Sequence, residues 1–141
     1  MGFWSWLLRG KPESRVGPAP IAHLPGPGTY ALDIVGESKY QAVLAHICGG
    51  RTEDGHNKIV QATVVHEDTN PHDNQAIRID IEGRTVGYLS RENARQYRQR
   101  LQKAGHPGIT ATCSAVIVGG WNRGGGDTGY FGVKLDIPTK D

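Results

Sequence analysis

The chain lacks the features of a membrane protein, a disulfide scaffold or a protein that coats DNA by charge alone. It has no apolar run of about 18 residues, the length that a transmembrane helix needs. Its two cysteines, Cys48 and Cys113, have no CxxC partners, so zinc-finger spacing is absent and a reducing cytoplasm is indicated. The formal net charge is +2, far from that of a histone-like protein. Any nucleic-acid-binding surface must therefore be a local basic patch.

Signatures of catalysis are also missing. There is no GxxxxGK[ST] phosphate loop, no GxSxG elbow and no HExxH helix, and the glycines at 124 to 126 do not follow dinucleotide-binding spacing. We therefore expect a non-catalytic or accessory domain without a cofactor or bound metal. A metal-dependent hydrolase that uses His72 and Asp73, with His66 or Asp68, is a third alternative, but no standard ligand spacing supports it.

Turn-forming residues are abundant, and they divide the chain into two parts. Twenty glycines and eight prolines favour β-structure over a helical bundle. Residues 1–28 are predicted to be an amphipathic tail and a linker, with five prolines between Gly10 and Gly28. Residues 29–138 are predicted to be the folded domain. The tail has apolar side chains that include Phe3, Trp4, Trp6 and Leu7. It either docks on a partner or on a membrane surface, or it covers an apolar patch of its own domain or stays disordered.

Alternating apolar and polar residues predict six strands, and helical spacing predicts two helices. Short connections between several strands favour antiparallel pairing. Ser90 is a good N-cap for the second helix, and Gly105 ends it. The fold class is therefore mainly β within α+β, a small six-stranded antiparallel barrel carrying two helices. The predicted strands are 29–35, 58–67, 77–81, 84–89, 110–118 and 131–137, and the predicted helices are 40–47 and 91–104.

A polar turn, residues 70–76, joins two of these strands and is the most informative segment of the chain. Asn70-Pro71 opens the turn, because proline biases the preceding residue away from helix. Asp73 either accepts a hydrogen bond from a ligand hydroxyl or forms an Asx-type turn within its own loop. Both alternatives stay open from the sequence.

The second helix and the late glycine-rich loop carry the remaining candidate residues. Arg91, Arg95 and Arg98 fall on one helical stripe, which is either a phosphate-binding face or a solvated face. Tyr130 and Trp121 flank the glycine-rich loop and are suited to stacking on bases. Phe131, which alternates with two apolar residues that follow it, fits the core better.

Four motifs, in order along the chain, resemble the HIRAN domain. The resemblance covers about residues 30 to 137. The motifs are Ile34-Val35-Gly36-Glu37-Ser38-Lys39-Tyr40-Gln41, Asn70-Pro71-His72-Asp73-Asn74-Gln75-Ala76, Val86-Gly87-Tyr88-Leu89-Ser90-Arg91-Glu92-Asn93-Ala94, and Gly119-Gly120-Trp121 followed by Phe131-Gly132-Val133-Lys134-Leu135-Asp136.

The resemblance implies a small barrel similar to the OB and SH3-like groups. In DNA-remodelling ATPases this domain binds single-stranded DNA and grips a free 3′-hydroxyl end. By motif, Asp73 matches the acidic acceptor, Arg91 a phosphate-contacting cation and Tyr40 a pocket-wall aromatic. The predicted nucleic-acid-binding set is Ser38, Lys39, Tyr40, His72, Asp73, Tyr88, Arg91, Arg95, Arg98, Tyr130 and Phe131.

The chain departs from the family's DNA-end binders at two places. At the position of His72 the family's DNA-end binders have an aromatic residue. At the positions of Ser38 and Lys39 they have a basic–aromatic pair. The leading hypothesis is a stand-alone module that binds single-stranded DNA or DNA 3′ ends in DNA repair or processing. The alternative is a protein-interaction adaptor that docks through its tryptophan-rich N-terminal segment.

Overall fold

Seven strands form one curled sheet in the computed structural model, which describes residues 22–139. The order across the sheet is β2-β7-β6-β3-β4-β5, and all these neighbours are antiparallel. The predicted mainly β, antiparallel fold with two helices is confirmed. The elements are β1 (Ala22–Leu24), β2 (Leu32–Asp33), a short 3-10 helix (Glu37–Lys39), α1 (Gln41–Cys48), β3 (His56–Glu67), β4 (Ala76–Ile81), β5 (Arg84–Tyr88), α2 (Arg91–Lys103), β6 (Ala111–Gly119) and β7 (Phe131–Leu135).

The two edges of the sheet meet at a single rung. Val35, just after β2, exchanges two backbone hydrogen bonds with Tyr88 of β5, at N···O distances of 2.7 and 2.9 Å. The approach is close because Gly87 has no side chain. A Cβ at this position would lie 2.7 Å from both the Val35 carbonyl oxygen and the Ile34 side chain. The sheet is therefore curled into a small barrel that this rung closes.

One hydrophobic core fills the space inside the curled sheet. The three isoleucines of β4, which alternate with polar residues, are all buried, as their spacing predicts. The α2 helix buries the predicted stripe of Ala94, Tyr97 and Leu101. The Ser90 hydroxyl accepts a hydrogen bond from the Asn93 N–H at 3.1 Å, so the predicted N-cap is confirmed. This packing holds the opposite, arginine-bearing face of α2 toward the 70–76 turn.

The predicted linker is wrong for residues 22–24, which form β1. Ala22 and Leu24 are buried, and the strand pairs in parallel with the first half of β6. A three-residue strand beside a proline carries too little periodicity to be recognised. Burial of these side chains adds β1 to the core of the domain.

The first predicted strand, 29–35, is shorter in the structure, where β2 contains only Leu32–Asp33. Gly28 and Tyr30 have positive φ angles, +86° and +47°, which strand geometry does not allow. The buried Asp136 carboxylate accepts hydrogen bonds from the N–H groups of both residues. A side chain more than a hundred residues away in sequence therefore sets the conformation of this segment.

The apolar tail residues Phe3, Trp4, Trp6 and Leu7 lie outside the described residues. Within residues 22–139, neither helix is long and apolar enough to cross a membrane.

Candidate nucleic-acid interface

The 70–76 turn is built from its own side chains. The Asn70 Oδ1 atom accepts hydrogen bonds from the N–H groups of His72, at 2.8 Å, and Asp73, at 3.3 Å. Asp73 Oδ1 in turn accepts from the Gln75 N–H at 3.0 Å. These are Asx-type turns, in which a side chain replaces a backbone carbonyl. One role considered for Asp73, shaping its own loop, is thus confirmed, and the turn fixes the direction of its carboxylate.

Two arginines of α2 converge on that carboxylate. Arg95 donates to both Asp73 oxygens at 3.3 Å, and Arg91 Nε lies 3.5 Å from Oδ2. Arg91 also donates to the His72 carbonyl oxygen at 3.3 Å. We call Asp73, Arg91 and Arg95 the acid–arginine cluster. The hydrogen bond from Gln75 and the pairing with Arg95 lower the pKa of Asp73, which keeps it ionised.

Arg98, predicted to contact phosphate, has another role in the structure. Its guanidinium donates to the carbonyl oxygens of Gln75, at 2.8 Å, and Ala76, at 3.0 Å, and to Asp68 Oδ1 at 2.8 Å. Every nitrogen of the group therefore has an acceptor in the loop. Arg98 thus fastens α2 to the end of the turn and is a positioning residue, and its contact with phosphate stays a prediction.

Tyr88 is linked to the turn through Glu67. The Tyr88 hydroxyl donates to Glu67 Oε2 at 3.2 Å, and the other oxygen of Glu67 accepts from Asn70 Nδ2 at 3.0 Å. Burial, followed by the Glu67 interaction, raises the pKa of Tyr88 to about 12. Tyr40 is half-buried at the end of the 3-10 helix. Tyr88 is thereby connected to the backbone of Asp73 through Glu67 and Asn70.

A second group of predicted residues lines a groove of about 550 Å³ between the 3-10 helix and the ends of β6 and β7. We call it the aromatic groove. Ser38 and Tyr130 both line it, and Tyr130 is 76% exposed. Lys39 is exposed on the same 3-10 helix. The lining includes Glu37, Ser38, Gln41, Val118, Trp121 and Tyr130.

Phe131, another predicted contact, is a core residue and cannot stack on a base. It is 1% exposed, and its ring lies so close to Gly120 that a Cβ there would be 2.1 Å from it. The Arg51 guanidinium lies over the ring, 5.1 Å from its centroid. Of the two adjacent aromatics, Tyr130 alone has a ring open to a ligand.

Gln41 and Arg51 shape the groove, although neither is among the predicted contact residues. The Gln41 carboxamide pairs with the backbone of Phe131, accepting from N–H at 2.8 Å and donating to the carbonyl at 2.9 Å. Arg51 donates to the Gly129 carbonyl oxygen. Both act on backbone groups far away in sequence. The one sequence feature that points to either residue is that Gln41 ends the first HIRAN-like motif.

A second cavity, of about 590 Å³, lies beside α2 and reaches His66. Burial, followed by the positive charge of Arg98, lowers the pKa of His66 below 6.5. In the same region the acids proposed as metal ligands form ion pairs, Asp68 with Arg98 and Asp73 with Arg95. Within residues 22–139 no three His, Cys, Asp or Glu side chains are grouped to hold a metal ion.

We expect His66 to destabilise the fold as the pH falls. Because its pKa is lower in the folded protein, the unfolded chain binds the proton first. Its contribution to stability is complete above the unfolded pKa of 6.5 and declines below it, until the folded pKa is passed. The free energy of unfolding, measured with urea at about pH 7.5 and about pH 5.5, should depend less on pH in His66→Gln than in wild type. The difference should be up to about 1.4 kcal/mol per pH unit. Equal pH dependence for both proteins would contradict this role.

Comparisons with protein-family models, curated proteins and solved structures found no match to this chain. The resemblance to the HIRAN domain therefore rests on the four sequence motifs.

Proposed function

We propose that this domain is a non-catalytic, HIRAN-like module that binds single-stranded DNA at a free 3′ end during DNA repair or processing. The acid–arginine cluster carries the proposal. It places a fixed carboxylate acceptor, Asp73, beside the cation Arg91, whose side chain is 73% exposed. A 3′-terminal nucleotide offers the matching chemistry, because its sugar carries a hydroxyl donor and a nearby anionic phosphate.

Binding proceeds by exchange at one oxygen of Asp73. Arg95 and the Gln75 N–H hold the carboxylate through three hydrogen bonds, and these stay in place. The contact with Arg91 is the longest, 3.5 Å, and involves the most exposed partner. Arg91 turns to the phosphate, and the 3′-hydroxyl donates to the position that it leaves on Oδ2. The Gln75 N–H and Arg95 keep the pKa of the carboxyl low, so Asp73 stays ionised and remains a strong acceptor.

The remaining predicted contacts complete a path for the strand. Tyr130 presents an exposed ring for stacking on a base. Ser38 offers a hydroxyl in the lining of the aromatic groove, and Lys39 is an exposed cation next to it on the same 3-10 helix. His72 is exposed at the tip of the turn and contacts the terminal sugar or base.

Arg91→Ala should weaken binding to all single-stranded oligonucleotides alike, by roughly fivefold, and reduce the salt slope by about 0.7. The reason is the loss of one phosphate contact, which carries no information about the strand end. Fluorescence anisotropy over a salt series measures both quantities, with duplex DNA and RNA as comparison ligands.

Arg84→Ala is the matched control, since it removes the same charge from an exposed position at the start of β5. Unchanged affinity in Arg91→Ala would remove Arg91 from the site. Equal losses of affinity in the two variants would show that Arg91 contributes only general electrostatic attraction and no specific phosphate contact.

The adaptor alternative depends on Phe3, Trp4, Trp6 and Leu7, which the structure does not describe. A pull-down with and without residues 1–12 tests it separately from oligonucleotide binding. We also propose a cytoplasmic location, because Cys48 and Cys113 are both free thiols.

A further inference from the structure

One wall of the aromatic groove carries an acid that DNA-end binding does not use. Glu37 Oε2 accepts a hydrogen bond from the Val133 N–H at 3.3 Å, and the Glu37 carbonyl oxygen accepts from Gln41 Nε2 at 3.0 Å. Both the backbone and the carboxylate of Glu37 are thus held. No other hydrogen bond to this carboxylate occurs within residues 22–139, so it retains acceptor capacity toward the groove.

The groove beside Glu37 is lined by bare backbone at Gly132. Gly132 lies between Val118 and Glu37, and a Cβ added there would be 3.5 Å from the Val118 side chain and 3.7 Å from Glu37 Oε2. The backbone is therefore bare at this point of the lining. Tyr130 adds an exposed ring to the same groove, and its volume of about 550 Å³ is in the usual range for small-molecule sites.

The charge of Glu37 selects a base over the sugar–phosphate backbone. A carboxylate repels a phosphate but accepts from the imino and amino groups of bases. Guanine presents two adjacent donors, N1–H and the N2 amino group, which match the two oxygens of a carboxylate. Adenine and cytosine place one amino donor beside an acceptor nitrogen, and the thymine imino group lies between two carbonyls. Guanine is therefore the base with full complementarity.

We propose that the aromatic groove binds a guanine base, which stacks on Tyr130 and donates to the Glu37 carboxylate. This inference rests on the proposed function, because it takes the guanine from a strand whose 3′ end is held at Asp73. Glu37 determines base preference, whereas Asp73 and Arg91 recognise the strand end.

The test compares an all-thymidine oligonucleotide with the same strand carrying one dG within the last few positions, each position in turn. Wild type should bind the best-placed dG strand about tenfold more tightly. Glu37→Gln should abolish this preference and leave binding to the all-thymidine strand unchanged. The carboxamide keeps an oxygen for the Val133 N–H but turns an N–H₂ donor toward the donors of guanine. Glu82→Gln, exposed in the β4–β5 turn, is the control.

A second variant guards against misfolding of the first. Tyr130→Ala alters a side chain that is 76% exposed, and we expect it to weaken the dG strand about tenfold in a protein that remains folded. Absence of a dG preference in wild type, or survival of the preference in folded Glu37→Gln, would overturn the guanine site. The proposal of DNA-end binding would be unaffected.

If wild type binds no oligonucleotide, the DNA-end proposal fails and the groove is tested alone. Titration with 5′-GMP and 5′-TMP, monitored through amide chemical shifts, then tests whether the groove binds a free guanine nucleotide. Shifts of the Tyr130 and Gly132 amides with GMP alone would support a site for free guanine nucleotides. No shift with either nucleotide would overturn the groove site as well.

Discussion

Asp73→Asn should bind a single strand with a free 3′-hydroxyl about tenfold more weakly than wild type, while binding of the 3′-phosphorylated strand changes far less. In the proposed complex the ionised Asp73 carboxylate accepts from the terminal hydroxyl, and the charged acceptor makes this hydrogen bond strong. A 3′-phosphate has no hydroxyl to donate and brings a negative charge next to Asp73, so little affinity remains to be lost. Anisotropy with the two ends of one sequence measures the ratio directly.

Asparagine is the informative replacement because it preserves the turn. Its side-chain oxygen still accepts from the Gln75 N–H, whereas alanine would remove a hydrogen bond that shapes residues 70–76. Asp54→Asn, at an exposed loop position, makes the same change of charge elsewhere and should alter neither affinity. Equal losses for the hydroxyl and phosphate ends would refute Asp73 as the hydroxyl acceptor. The preservation of 3′-phosphate binding separates this result from unfolding.

Asp136→Ala should lower the free energy of unfolding by about 2–3 kcal/mol. Asp136 is 5% exposed, and its carboxylate accepts from the Gly28 N–H at 2.9 and 3.1 Å and from the Tyr30 N–H at 3.2 Å. Truncation leaves these donors without the acceptor that holds Tyr30 at its positive φ. Urea unfolding gives the free energy, and faster amide exchange at residues 28 and 30 should accompany the loss.

Two companion variants define this effect. Asp136→Asn keeps one acceptor oxygen but directs a donor at the same backbone, so its loss should be intermediate. Asp33→Ala removes an acid that is 73% exposed and 3.8 Å from Lys134, and such surface pairs contribute about 0–1 kcal/mol. A loss in Asp136→Ala no larger than that in Asp33→Ala would show that the buried carboxylate does not organise the 26–30 segment.

Regular periodicity made much of the fold predictable. The isoleucines of β4 and the Ala94, Tyr97 and Leu101 stripe of α2 repeat often enough to identify strand, helix and buried face. The strand β1 has three residues and pairs with a partner almost ninety positions away, so no local pattern marks it. Its place depends on tertiary packing, which the alternation of side chains does not encode.

The candidate site was predictable in its residue types but not in its connections. The helical spacing of Arg91, Arg95 and Arg98 correctly places them on one face. Their different roles follow from their acceptors: Arg98 binds backbone carbonyls, and Arg95 binds Asp73. Carbonyl acceptors exist at every residue, so sequence alone cannot identify those that an arginine will reach. The burial of Phe131 likewise depends on the Gly120 backbone conformation.

The rung between Val35 and Tyr88 is a second connection between the aromatic groove and the 70–76 turn, beside the sheet itself. Two backbone hydrogen bonds join the ends of the curled sheet. The segment that follows Val35 becomes the Glu37–Lys39 wall of the aromatic groove, and Tyr88 leads through Glu67 to the 70–76 turn. If the rung opened, the pairing of β6 with β3 and of β3 with β4 would still join the two regions, but the segment before the 3-10 helix would lose its two hydrogen bonds to β5. The rung therefore helps to position the 3-10 helix side of the groove relative to the turn, and in the proposed function these are the places where the base and the strand end are bound.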